Sequence, residues 1–257
     1  MKHYLIDSRE VIKTNHQQYP IAVRTNCPEG KVILFLHGGP GLPDAELVRY
    51  YNSDIADTAV MVVWDQRGAG EAYSASFAFK KNLMKERMLN DIDNLVRYLC
   101  RRFNKQKVVL MAHGFGAVLS DWYTRQHPDK VDCLIQINPT ITNQQTDSYG
   151  ALKTLLPVIP DVLCGRRIAG IAKLIIGAKW SGNTPLAKEQ FDLREAVKSL
   201  PVPVFMVTGT DAADAKEWFD ILKAPAKEHI VFESCSGNPM FEKPDAFNRV
   251  VKRIMGR

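Results

Sequence analysis

Short, continuous apolar runs alternate with helical periodicities along the whole chain. Residues 32–36, 59–64, 108–112, 131–137, 204–207 and 229–232 are strand-sized and predominantly apolar. Runs of that kind mark strands covered on both faces, the arrangement of a parallel sheet packed between helices. Residues 4–6 and 21–23 are weaker and predict an antiparallel pair at the sheet's edge. Met84, Met88, Ile92, Leu95, Leu99 and Phe103 recur every three or four residues and predict one long amphipathic helix over 84–103. A second helix is predicted after Gly114, with Phe115, Val118, Leu119, Trp122 and Tyr123 on one side. His127-Pro128 ends it, because the residue before a proline is pushed out of the helical region. A last helix is predicted over 244–254. These alternating elements predict an α/β fold with a mostly parallel central sheet flanked by helices.

Residues 140–201 break the alternation. They are rich in apolar and basic residues, with Gly165, Gly170 and Gly177 scattered among them. This segment reads as a short helical cap inserted into a core formed by 1–139 and 202–257.

Composition changes the picture only by exclusion. With 46% hydrophobic residues in 257, the chain has enough apolar surface for a sizeable core. No apolar run approaches the length of a membrane span, and the first residues lack a signal-peptide pattern, so a cytoplasmic location is expected. Five cysteines, widely spaced and without a C-x-x-C pair, argue against a disulfide framework and a structural zinc site. The net charge of +6 is concentrated between Lys80 and Lys107, where nine basic residues face Glu86, Asp91 and Asp93. Without interleaved aromatics or a binding module, this reads as a solvated helix face and not as a nucleic-acid surface.

Three motifs sit at the carboxyl ends of predicted strands. Residues 37–41 read His-Gly-Gly-Pro-Gly; residues 65–70 read Asp-Gln-Arg-Gly-Ala-Gly; residues 112–116 read Ala-His-Gly-Phe-Gly. Glycines in the first let backbone N–H groups approach a ligand oxygen. The third occupies the strand-to-helix turn where a G-x-S-x-G nucleophile elbow belongs. In this order the motifs resemble the proline iminopeptidase branch of the α/β-hydrolase superfamily. The likeness continues through residues 90–93, 127–131 and 237–244, about three quarters of the chain, while the segment 140–201 looks shorter than that branch's cap and does not match it.

The resemblance implies an α/β-hydrolase fold and assigns a catalytic triad to three positions, none of which matches here. The nucleophile position is Gly114, which offers no atom for attack. The histidine position is Asn238, whose amide does not take up a proton near neutral pH. The acid position, counted from Gly209, is Ala212, with Asp211 one residue early and Asp214 two late; an alternative acid site falls at Asn138. In a worked serine hydrolase, loss of the serine or histidine costs about 10⁶-fold in turnover, while roughly 10³–10⁴ over water survives from binding and the oxyanion hole. Ordinary triad hydrolysis is therefore not expected.

What the resemblance leaves is a binding scaffold of Gly38, Gly39, His113, Gly114 and Phe115. The N–H groups of Gly39 and Phe115 are expected to converge at the positive end of the helix after Gly114, suiting a small carbonyl or anionic molecule. The chain would then be a pseudoenzyme, or run a non-hydrolytic lyase- or cyclase-type reaction. Two alternatives stay open: an amide or ester hydrolase with a relocated nucleophile, and a protein- or membrane-surface module. The last draws on Leu163, Ile168, Ile171, Leu174 and Ile175 beside Arg166, Arg167, Lys173 and Lys179 in the cap. Ser120, Cys235, His37 and His113 are read as structural. No cofactor and no metal are implied, since no His/Glu/Asp grouping has ligand spacing.

Overall fold

The computed structural model describes residues 3–13, 18–39, 44–72, 84–143, 186, 189–210, 212–235 and 237–256. Eight strands form one sheet in the order β1-β2-β4-β3-β5-β6-β7-β8. These are β1 (Ile6–Lys13), β2 (Gln18–Thr25), β3 (Lys31–Leu36), β4 (Ala59–Trp64), β5 (Val108–His113), β6 (Val131–Ile137), β7 (Val204–Thr208) and β8 (Lys227–Val231). β1 and β2 pair antiparallel, as do β2 and β4, and every later pairing is parallel. The fold class expected from the pattern is therefore found, including the antiparallel edge.

Alternate residues of the central strands feed two cores. Val32, Leu34, Leu36, Val60, Val62, Leu110 and Ala112 face one side. There α2 (Lys85–Arg102), α3 (Phe115–Gln126) and α5 (Ala213–Ile221) cover them. Ile33, Phe35, Met61, Val63, Val109 and Met111 face the other side, under α1 (Ala45–Tyr51), α6 (Pro239–Glu242) and α7 (Pro244–Met255). Full burial of one such side chain contributes roughly 1.5–3 kcal/mol, so both faces are held by packing more than by helix propensity.

Four expectations need correction. The first strand runs from Ile6 to Lys13 and not over 4–6, and the last covers Lys227–Val231 and not 229–232. Met84 is the exposed residue before α2, not part of its buried stripe. Helix α3 is buried on nearly all sides, from Phe115 to Thr124, and not on one face alone.

Most of the expected cap, residues 144–185, lies outside the described residues, as do the basic amphipathic positions singled out within it. Its flanks belong to the core. Ile141, Leu193 and Val197 are fully buried, Thr142 bridges Asp192, and Leu193 N–H donates to Ile141 O at 2.9 Å. Asp192 opens α4 (Leu193–Ala196) by accepting the Arg194 N–H. Phe191 packs on both Phe115 and Trp122, with ring centroids 6.1 and 5.8 Å apart.

Segments far apart in sequence are stapled together. Buried Asn52 donates through Nδ2 to Met240 O at 2.9 Å and to Asn248 Oδ1 at 3.0 Å, and Asn248 Nδ2 donates to Tyr51 O. Among the described residues no helix is long and apolar enough to cross a membrane.

Candidate functional site

The site forms where β3, β5 and β6 end beside the start of α3. Gly114 is the apex between β5 and α3, at φ +53° and ψ −117°, a region that side chains enter only at a cost in strain. Its N–H donates to Ile137 O at 3.0 Å, and its carbonyl accepts the N–H groups of Ala117 and Thr140, each at 3.1 Å. The elbow is thus tied on both sides to the chain leaving β6.

Crowding does not demand glycine at this apex. Among the described residues a Cβ on residue 114 would meet nothing nearer than Gly38 Cα and Thr140 Oγ1, both at 3.8 Å. Gly116 is the opposite case, since a Cβ there would stand 2.2 Å from Leu36 O and 2.8 Å from His37 O. That glycine lets α3 press directly on the end of β3. Among the described residues, nothing above residue 114 crowds out a side chain that the sequence does not supply.

The loop after β3 is fixed from within. His37 is fully buried, and its Nε2 accepts the Gln66 N–H at 2.9 Å. Its Nδ1 must then carry the proton and donates to Gly38 O at 2.7 Å. Gln66 Nε2 donates back to His37 O at 2.8 Å. Burial holds this imidazole's pKa below its ordinary value, in keeping with a neutral ring. His37 joins the first two motifs and has no nitrogen left for a ligand.

The second motif supplies buried charge. Arg67 reaches Asp91 of α2 through Nε at 2.8 Å and Nη2 at 2.6 Å, with the Tyr19 hydroxyl donating to the same carboxylate. Burial raises the Asp91 pKa despite the guanidinium. Burial also pushes Asp65 up to about 7, against the lowering effect of the Glu71 N–H on its Oδ2, with the charges of Glu71, Glu46 and Asp44 adding to the rise.

His113, the last residue of β5, pairs with Asp44 at the start of α1; Nδ1 and Oδ2 are 2.9 Å apart. The carboxylate is 1% exposed, and among the described residues its Oδ1 has no hydrogen-bond partner. Nothing in the sequence joined these two residues, 69 positions apart.

The remaining expected positions fall as follows. Asn238 is buried and precedes α6; its N–H donates to Glu242 Oε1 at 2.9 Å, and its side chain does not cap that helix. Asn138, at φ +40°, donates through Nδ2 to Gly237 O and accepts the Gly209 N–H through Oδ1 at 3.1 Å. It clasps the loops that follow β6, β7 and β8. Asp211 lies outside the described residues. Ser120 Oγ is turned back onto Ala117 O at 2.7 Å, inside α3. Burial pushes the Cys235 thiol up to about 11, where it is protonated and inert. Among the described residues no group of His, Cys, Asp and Glu is placed to hold a metal ion.

Thr140 is the residue that sequence reasoning missed. It stood only as the boundary of the inserted segment, and no motif includes it; the backbone bond to Gly114 is what brings its hydroxyl to the elbow.

The comparisons with known proteins agree with this architecture. The family model described as alpha/beta hydrolase fold matches residues 31–159. The probable aminopeptidase YbaC of Bacillus subtilis (strain 168) is 23% identical over 281 aligned positions, covering 86% of this chain and 88% of that protein. A putative proline iminopeptidase of Mycoplasma genitalium is 29% identical over 119 positions, 46% of this chain and 35% of that protein. Among solved structures, the proline iminopeptidase-related protein of Thermus thermophilus superposes with a TM-score of 0.73. It is 18% identical, covers 98% of both chains, and at that identity speaks for the fold alone.

Proposed function

This chain belongs to the alpha/beta hydrolase fold family, and from that premise we propose that it binds a small carbonyl or anionic molecule at its elbow without serine-type hydrolysis. The observation that carries the reading is Gly114 itself, a strained apex that no described residue crowds and that offers no attacking atom. Helix geometry leaves the first N–H groups of α3 without intrahelical partners, and they carry the positive end of the helix dipole. The Phe115 N–H, with that of Gly39, is the donor pair assigned to the ligand oxygen. The partner of such donors is a carboxylate, a phosphate or an oxygen gaining negative charge.

With Asn238 at the histidine position, no imidazole stands there to relay a proton. Any chemistry is then of the kind a polarised carbonyl undergoes without an attacking serine, such as elimination or cyclisation; in the limit the chain is a pseudoenzyme. A thermal-shift screen over small carboxylates, phosphates and carbonyl compounds tests this. A ligand at about a hundred times its Kd stabilises the folded state by about 2.7 kcal/mol, roughly 5–10 °C in a chain of this length. A complete screen without a shift, together with a pocket filled by side chains, sinks the proposal.

The likeness to the Bacillus subtilis protein, named as a probable aminopeptidase, favours a second reading, an amide or ester hydrolase with its nucleophile elsewhere. Labelling of one serine by a fluorophosphonate would establish it at the expense of the first.

A further inference from the structure

The chain leaving β6 is held over the elbow at consecutive points. Asn138 N–H donates to Val207 O at 2.9 Å, Thr140 N–H donates to Gly114 O at 3.1 Å, and the carbonyl of the fully buried Ile141 accepts the Leu193 N–H at 2.9 Å. Pro139, between the first two, is buried. Thr140 therefore has little backbone freedom, and its β-branched side chain has few rotamers. Its Oγ1 stands 3.8 Å from where a Cβ on Gly114 would be. A nucleophile's oxygen would lie one bond beyond that Cβ, and an atom on the side turned towards Thr140 comes within hydrogen-bond reach of the threonine hydroxyl.

We propose that Thr140 is a ligand-binding residue of this pocket, its hydroxyl donating to a carboxylate or carbonyl oxygen seated above Gly114. The inference rests on the binding site proposed above and names its side-chain donor. With a backbone N–H from the opening of α3 on one side and Thr140 O–H on the other, a ligand oxygen gains two donors from different elements. The hydroxyl thus comes from the β6 exit, and the elbow contributes only its backbone. A hydroxyl also accepts, so the same residue distinguishes an oxygen ligand from an apolar one without demanding a full negative charge.

The test places a reporter atom in the pocket. In Gly114→Cys the thiol occupies the ligand's position, and its pH-dependent alkylation by iodoacetamide is followed by mass spectrometry of the peptide carrying residue 114. A thiol at a helix N-terminus titrates at about 3.5–7.5, against about 8.5 for a free one. The expected result is a pKa in the lowered range for Gly114→Cys. Adding Thr140→Val should leave about tenfold less thiolate at fixed pH, the effect of losing one hydrogen bond to a charged atom. Thr140→Ser should restore it. A lowered pKa that Thr140→Val does not move overturns the role of Thr140 and leaves the pocket. An unlowered pKa in Gly114→Cys overturns both.

If cysteine at the apex unfolds the chain, benzoate titration followed at the Phe115 amide by NMR makes the same comparison with Gly114 intact. About tenfold weaker binding in Thr140→Val, with Thr140→Ser like the parent, supports the proposal. Equal affinity overturns it, and a parent protein whose Phe115 amide does not respond overturns the pocket with it.

Discussion

His113 Nδ1 and Asp44 Oδ2, 2.9 Å apart, join the end of β5 to the start of α1 directly beside the elbow. The carboxylate is almost wholly buried, and among the described residues its Oδ1 has no partner. Removing one member therefore exposes the desolvation penalty of the other. We expect His113→Ala to cost about 3–5 kcal/mol, and the double variant His113→Ala/Asp44→Ala to cost much less than the two single changes added together. Urea denaturation of the four proteins measures this coupling; additive losses would show that the pair is incidental.

Asp65 gives the protein a pH dependence of known sign. Its folded pKa is raised to about 7 from the ordinary value of 3.8, so between those values the folded chain holds a proton that the unfolded chain has released. Its contribution to stability is complete at acidic pH, falls as pH rises through that window, and levels off above about 7. Asp65→Asn keeps an acceptor for the Glu71 N–H and removes the titration. The stability difference between parent and variant is expected to swing in the variant's favour by on the order of 1–2 kcal/mol from about pH 5 to about pH 8. A difference independent of pH would place the carboxyl in water.

The glycines of the elbow separate close approach from backbone strain. Gly116→Ala puts a methyl group against the Leu36 and His37 carbonyls and must lift α3 from β3, at an expected cost of about 3 kcal/mol or more. Gly114→Ala meets no described atom under 3.8 Å and is expected to carry the penalty of a positive φ, about 1–2 kcal/mol. Thermal denaturation ranks the two, and the reverse order would contradict the packing described here.

Asn138→Asp tests whether an acid at the alternative acid site is compatible with this chain. The amide nitrogen that now donates to Gly237 O becomes a carboxylate oxygen facing a carbonyl. Stability is expected to fall by about 2 kcal/mol near neutral pH and to recover in part below about pH 5, where the acid can donate again. Unchanged stability at both pH values would mean that the clasp contributes nothing.

What could be read from sequence follows from where each signal is local. The stripe from Met88 to Leu99 and the apolar runs of β3 to β7 are complete within one segment, so their elements were legible to within a residue or two. β1 was misplaced because Ser8 and Glu10 alternate inward with Ile6 and Ile12, and Glu10 is accommodated there by Arg102 from α2. β8 opens with Lys227 and Glu228, polar residues that an edge strand tolerates and an apolar-run criterion rejects. Helices α1 and α5 span seven and nine residues, too short for periodicity to speak. At the site, the glycine apex was visible because one motif contains it. The Asp44–His113 pair and the approach of Thr140 to Gly114 were not, since each depends on how separate strands end side by side.

The clasp from Asn52 to Met240 and Asn248 sets an order of events for a chain emerging from the ribosome. The sheet face bearing Ile33, Phe35 and Met61 shares its cover among α1, α6 and α7, and α7 is translated only after every strand of the sheet. Until α6 and α7 emerge, much of that greasy surface stays bare and Asn52 lacks its distant acceptors. A messenger cut short within the codons for α7 therefore yields not a slightly trimmed protein but a sticky one, destined for aggregation or proteolysis.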